Sequence, residues 1–205
     1  MKYPENIKSV AVLQPDYLGF IFYERSKRNF EGEIPHISDK IKKTGVFVDT
    51  SIEIIIKKVN KYRLKAIQLH GEESVEFCRK LREELKDVTI EIIKVFSIGD
   101  TFDFSVLKIY EDVCDYFLFD TKGKEKGGNG ITFNWELLKN YPNQKPYFLS
   151  GGIGLEEVKD IKEFFKTEAS KYCYALDINS KFEDEPGLKN IKDLKLFIKD
   201  LKLKI

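Results

Sequence analysis

Short apolar runs alternate with longer amphipathic stretches along the whole chain. The runs are Tyr17 to Tyr23, Val46-Phe47-Val48, Ala66 to His70, Ile90 to Phe96, Tyr116 to Phe119, Tyr147-Phe148-Leu149 and Tyr174 to Ile178. Each is too short for a helix and rich in β-branched or aromatic residues, which predicts buried strands. Between them, Ile52, Ile55, Ile56 and Val59 recur at helical spacing. Further helices are predicted over Val75 to Leu85, Phe104 to Tyr110, Trp135 to Leu138, Leu155 to Phe165 and Ile191 to Leu201, and one around Ile37 to Lys43. The chain opens on a helix over Met1 to Leu13, with Pro4 suited to a first turn and Ile7, Val10 and Ala11 on one face. Pro15-Asp16 ends it.

Strands and helices alternating at this pitch predict a parallel α/β sheet. The count is about seven strands and eight helices, whereas a (β/α)8 TIM barrel has eight strands, each followed by a helix. The expectation is therefore a barrel whose first strand is missing. No composition shift or long linker divides residues 1–205, so they are read as a single domain.

Composition narrows the function classes. Charged residues are 34% and hydrophobic ones 42%, as in a globular protein outside the membrane. With 35 basic and 34 acidic residues the net charge is +1, which offers no basic field for nucleic acid. No apolar run approaches the ~20 residues of a membrane span, and no signal peptide opens the chain. Three scattered cysteines, Cys78, Cys114 and Cys173, lack metal-binding spacing and read as reduced core fillers of a cytoplasmic protein. Monomer and homodimer both remain open.

Candidate chemistry sits where strands end, since barrels place their functional groups there. Those positions hold Arg28, Asp49, His70, Asp120, Ser150-Gly151-Gly152 and the run Asp177-Ile178-Asn179-Ser180, with a Gly-rich loop over Gly127, Gly128 and Gly130 after Asp120. A carboxylate at a strand end can act as acid or base, and glycines let backbone N–H groups approach a phosphate. A capping Asp with a turn, a solvated basic loop around Arg28 and a structural hydrogen bond at His70 fit the same residues.

The motifs resemble those of one family along nearly the whole chain. They are PDYLGFIF followed by SKR, then GVFVD, AIQLHGEES, FLFDTKGK, GGNGITFNW, LSGGI and LDINSKFEDEPGLKN. In this order they resemble phosphoribosylanthranilate isomerase, a (β/α)8 barrel of tryptophan biosynthesis. The resemblance implies an enzyme without cofactor or metal, acting on a phosphorylated small molecule by an Amadori rearrangement. That reaction opens the ribose ring and moves a proton from C2′, so it needs an acid and a base. Asp120 matches the family's acid; Phe117 and Phe119 beside it are compatible with apolar walls that keep it protonated, and strand alternation is the competing reading, turning one or both away. Arg28 matches the arginine that pairs with the anthranilate carboxylate. Gly128, Gly151, Gly152, Asp177, Asn179 and Ser180 map to the loops around the substrate and its phosphate, and His70 to the mouth. Lys27, Asn129 and Lys181 depart from the family's usual Pro, Thr and Gly.

One departure bears on catalysis. The family's first strand carries K-x-C-G, whose cysteine is the base, and no cysteine here occupies that position. Two expectations follow: an isomerase with a shortened start, nearly inactive as written, or a barrel that binds sugar phosphates without turning them over.

Overall fold

In the computed structural model, residues 1–86, 89–121, 132–142 and 144–201 are described. Seven parallel strands form one sheet in chain order: β1 (Tyr17–Ile21), β2 (Lys42–Phe47), β3 (Ala66–Leu69), β4 (Glu91–Ile98), β5 (Tyr116–Thr121), β6 (Tyr147–Leu149) and β7 (Cys173–Leu176). Each strand pairs with the next, so every connection is a crossover over the same face. β1 and β7 are the edges, and no ladder joins them among the described residues. The strand count is the one the periodicity predicts.

Strand alternation sends one set of side chains outward, under the helices, and the other into the curl of the sheet. The inner set is Ala66, Ile93, Val95, Leu118 and Phe148, with Tyr17, Tyr116 and Ala175 against them. Tyr17 on β1 lies 5.1 Å from the ring of Phe148 on β6 and 6.4 Å from that of Tyr174 on β7, so the sheet curls far enough for its two edges to meet through side chains. Polar atoms there are paired: Tyr17 donates to Glu91 Oε2 at 2.9 Å, and Lys42 Nζ donates to Glu91 Oε1 at 2.6 Å and to Tyr17 Oη at 3.1 Å. Burial, Tyr174 and Glu91 push the Tyr17 phenol far above its ordinary value, so it stays a donor.

The outer set packs under α1 (Pro4–Ala11), α2 (Ile52–Tyr62), α3 (Val75–Glu84), α4 (Val158–Phe164) and α5 (Ile191–Leu201), with 3₁₀ helices at Phe104–Tyr110 and Trp135–Asn140. Pro4 starts α1, and Ile7 and Val10 face the core. α3 is capped by Ser74, whose Oγ accepts from Phe77 N at 3.2 Å, and it buries Cys78 and Leu81. α2 stops at Arg63, which adopts a left-handed backbone (φ 51°). α5 buries Leu194 and Phe197.

Among the described residues these are the seven helices longer than a single 3₁₀ turn, where the sequence suggests eight, because Ile37 to Lys43 is no helix. Ile37 and Ile41 are buried, but they anchor a turn, and Lys42 and Lys43 already belong to β2. β2 opens with Lys42, Lys43 and Thr44, and these polar residues disguise its first half. A two-stranded hairpin, β8 (Glu183–Glu185) and β9 (Leu188–Lys189), precedes α5. It docks on α1 through Asn6, whose side chain donates to Lys189 O and accepts from Lys189 N, both at 2.8 Å. Beside it, Lys2 N donates to Gly187 O at 3.2 Å. No described helix is long and apolar enough to cross a membrane.

Candidate active site

At the C-terminal ends of the strands, the inward positions turn polar. Asp120 is the next-to-last residue of β5, His70 follows β3, and Asp177 follows β7. Asp120 Oδ2 lies 3.4 Å from His70 Nε2, and Asp120 Oδ1 accepts from Thr121 N at 2.9 Å. The Gln68 amide nitrogen lies 3.1 Å from His70 Nδ1. A donor at Nδ1 makes that nitrogen the acceptor and leaves the ring proton on Nε2, facing Asp120. Ser150 Oγ donates to Asp177 Oδ2 at 3.2 Å. Burial and the nearby Asp120 charge raise the Asp177 carboxyl above its ordinary value, and His70, Lys189 and the Ser150 hydroxyl offset this only in part. Two carboxyls and an imidazole gathered at the strand ends are groups chemically able to give and take protons.

Phe117 and Phe119 do not wall Asp120. They sit on the opposite side of β5, fully buried in the outer core, with Phe96 5.4 Å from Phe117 and Tyr141 5.4 Å from Phe119. The reason is the two-residue period of a strand, which turns positions 117 and 119 away from the side chains of 118 and 120.

Arg28 lies in the loop after β1. Its Nε donates to Glu183 Oε2 at 2.7 Å, and its Nη2 lies in ion-pair contact with the same oxygen, also at 2.7 Å. Glu183 Oε1 accepts from Lys189 Nζ and Gly187 N, each at 3.1 Å. Lys189 Nζ also donates to Asn179 O at 2.8 Å and Oδ1 at 2.5 Å. Burial would push the Glu183 carboxyl up, but hydrogen bonds and charge from Arg28 and Lys189 outweigh it and hold the carboxyl below its ordinary range. Thus Arg28 and Asn179, on loops at opposite ends of the sheet order, are tied through Glu183 and Lys189. The segment FEDEPGLKN contains both tying residues; it belongs to the last of the motifs quoted above, but nothing local to it gives either residue a role.

Gly151 and Gly152 both have left-handed backbones, φ 91° and 64°. A Cβ on Gly151 would lie 2.1 Å from Thr121 Oγ1, so only glycine fits that close approach. Ser180 opens a single 3₁₀ turn, Ser180–Phe182. Gly128 and its neighbours Gly127 and Gly130 lie outside the described residues.

Asp49 and the run after His70 do structural work. Asp49 Oδ1 accepts from Glu72 N at 2.7 Å, and Glu73 accepts from Asp49 N at 3.0 Å and from Gly71 N. Lys94 pairs with Glu73 at 3.1 Å and donates to Gly71 O at 2.7 Å, with both side chains almost wholly buried. The loop that carries His70 is thereby clamped to β2 and β4. None of the three cysteines reaches the mouth: Cys78 is on α3, Cys114 precedes β5, and Cys173 begins β7 at the opposite end of the sheet. No cluster of three or more metal-ligating side chains occurs among the described residues.

A curled sheet of parallel strands under helices, with carboxyls and an imidazole at the strand ends and glycine turns after a late strand, defines the α/β-barrel class that handles small phosphorylated molecules. The sequence model described as N-(5'phosphoribosyl)anthranilate (PRA) isomerase matches residues 1–200. The chain belongs to that family. It is 41% identical over 207 residues to the N-(5'-phosphoribosyl)anthranilate isomerase of Parabacteroides distasonis, covering 98% of this chain and 90% of the relative. The crystal structure of phosphoribosyl anthranilate isomerase from Thermotoga maritima superposes with a TM-score of 0.80 at 29% identity, covering 98% of this chain and 95% of that one. A second solved isomerase, in complex with reduced 1-(o-carboxyphenylamino)-1-deoxyribulose 5-phosphate, matches with a TM-score of 0.77 at 28% identity over 98% and 94% of the two chains.

Proposed function

We propose that the chain is a phosphoribosylanthranilate isomerase of tryptophan biosynthesis, converting N-(5'-phosphoribosyl)anthranilate to 1-(o-carboxyphenylamino)-1-deoxyribulose 5-phosphate. The observation that carries the reading is Asp120, which matches the family's acid and lies at the C-terminal end region of its strand, 3.4 Å from His70. In this scheme Asp120 protonates the ribose ring oxygen while the anthranilate nitrogen lone pair forms the C1′=N bond and the C1′–O bond breaks. Loss of the C2′ proton to a base then gives the enolamine, which becomes the ketone product. Arg28 holds the anthranilate carboxylate as a planar fork. Gly151, Gly152, Asn179 and Ser180 surround the phosphate in this scheme. Asp177 and His70 line the space between the two ends and set the charge that Asp120 meets.

A second reading, a barrel that binds the phosphorylated ligand without turnover, is favoured by one observation: none of the three cysteines is at the mouth. A missing base costs about 10²–10⁴ in rate. Both readings are tested by following loss of substrate fluorescence with this chain and with Asp120→Asn, alongside a binding titration of reduced 1-(o-carboxyphenylamino)-1-deoxyribulose 5-phosphate. The isomerase reading expects binding by both proteins, and turnover that disappears in Asp120→Asn. Binding with no turnover in either favours the second reading. Failure to bind at all refutes both.

A further inference from the structure

Arg28 does not stand alone. Its side chain is 20% exposed and that of Glu183 only 3%, so a carboxylate has been taken out of water to meet it. Leaving such a charge buried costs several kcal/mol unless partners surround it. Here Arg28 gives one oxygen a hydrogen bond from Nε and a close ion-pair contact from Nη2, and Lys189 and Gly187 N donate to the other. The guanidinium has five N–H groups in a fixed plane. Glu183 takes only the Nε–Nη2 edge, which leaves the Nη1 side for a second carboxylate.

We propose that Glu183 is a positioning residue: it locks the Arg28 guanidinium on one edge, with Lys189 as its counter-charge, so that the other edge is presented to the aromatic carboxylate of the substrate. The proposal rests on the reading of Arg28 as the carboxylate-binding group. Glu183 itself never touches the substrate; it removes the rotamer freedom that a long cationic side chain would otherwise lose on binding. Because Lys189 also holds Asn179, the same pair ties the carboxylate end of the site to the loop assigned to the phosphate.

Glu183→Gln is the direct test. A glutamine keeps the shape but removes the charge, so whichever way its amide turns, Arg28 loses its ionic partner and retains at most a neutral acceptor, which weakens the lock. Calorimetric titration near neutral pH compares two probes: reduced 1-(o-carboxyphenylamino)-1-deoxyribulose 5-phosphate, and the same compound prepared from aniline, which lacks the carboxylate. The unaltered chain should prefer the carboxylated probe. In Glu183→Gln that preference should fall about tenfold, the scale of one charge-assisted hydrogen bond, while affinity for the aniline probe stays within about twofold. A merely structural role would weaken both probes equally, and that result overturns the proposal. So does an undiminished preference. Should Glu183→Gln fail to fold, Glu183→Asp keeps the buried charge but withdraws it from Arg28, and it must lose part of the preference. A folded Glu183→Asp with the full preference overturns the proposal. An unaltered chain that binds neither probe refutes the isomerase reading itself, whereas one that binds both equally refutes the role of Arg28 and this inference with it.

Discussion

Lys94→Met should be among the most destabilising single changes in the chain. Lys94 and Glu73 have side-chain exposures of 3% and 2% and lie 3.1 Å apart. Removing one member of a buried pair typically costs ~3–5 kcal/mol, because the other charge is left without its partner. Two features set the figure within that range. Glu73 keeps its bonds from Asp49 N and Gly71 N, which still solvate its charge. Against that, Gly71 O loses the 2.7 Å donor that Lys94 supplies, and a buried carbonyl left unpaired costs ~1–3 kcal/mol. A loss of about 3–4 kcal/mol results, or roughly 6–16 °C in Tm for a chain of this size. Urea unfolding followed by circular dichroism measures it. Replacing both partners, Lys94→Met with Glu73→Leu, should cost less than the sum of the single changes, since no charge is then left buried. A single-variant loss under about 1 kcal/mol would refute the reasoning, because it would mean that the pair behaves as a solvated surface contact.

Gly151→Ala should destabilise by at least ~1–3 kcal/mol from its left-handed backbone alone, with the clash on Thr121 in addition. Urea unfolding checks this, and the same variant should lose affinity for the phosphorylated probe. Asp177→Asn should raise Tm at neutral pH. The folded-state pKa of Asp177 is raised, so ionising it opposes folding above that pKa, and this penalty is relieved as pH falls through it toward the unfolded value of 3.8. The gain from the asparagine should therefore shrink on acidification, and a Tm difference that stays constant with pH would contradict the assignment.

Much of the architecture was legible in sequence because burial writes itself into periodicity. β3, β5, β6 and α5 sit where their apolar runs lie, and the alternation alone implied seven parallel strands. The reading failed where polar residues entered the barrel interior. Lys42 and Thr44 belong to a strand because Lys42 finds Tyr17 and Glu91 across the curl, partners 25 and 49 residues away. No local pattern announces such a partner, so Ile37 and Ile41 were free to suggest a helix.

The site divides in the same way. Strand-end positions and motif order picked out Asp120, His70, Gly151, Gly152, Asp177 and Arg28 from the sequence, since barrels put their chemistry at the ends of strands. Which of these groups meet was decided only by the tertiary structure. The two-residue period of β5 already turns Phe117 and Phe119 to the face opposite Asp120, but the curl of the sheet is what sets His70 of the β3 end beside it. The Arg28–Glu183 contact joins residues 155 positions apart. Local spacing records which face a residue shows, but a contact of that length depends on the whole curl of the sheet, and so only the folded chain determines it.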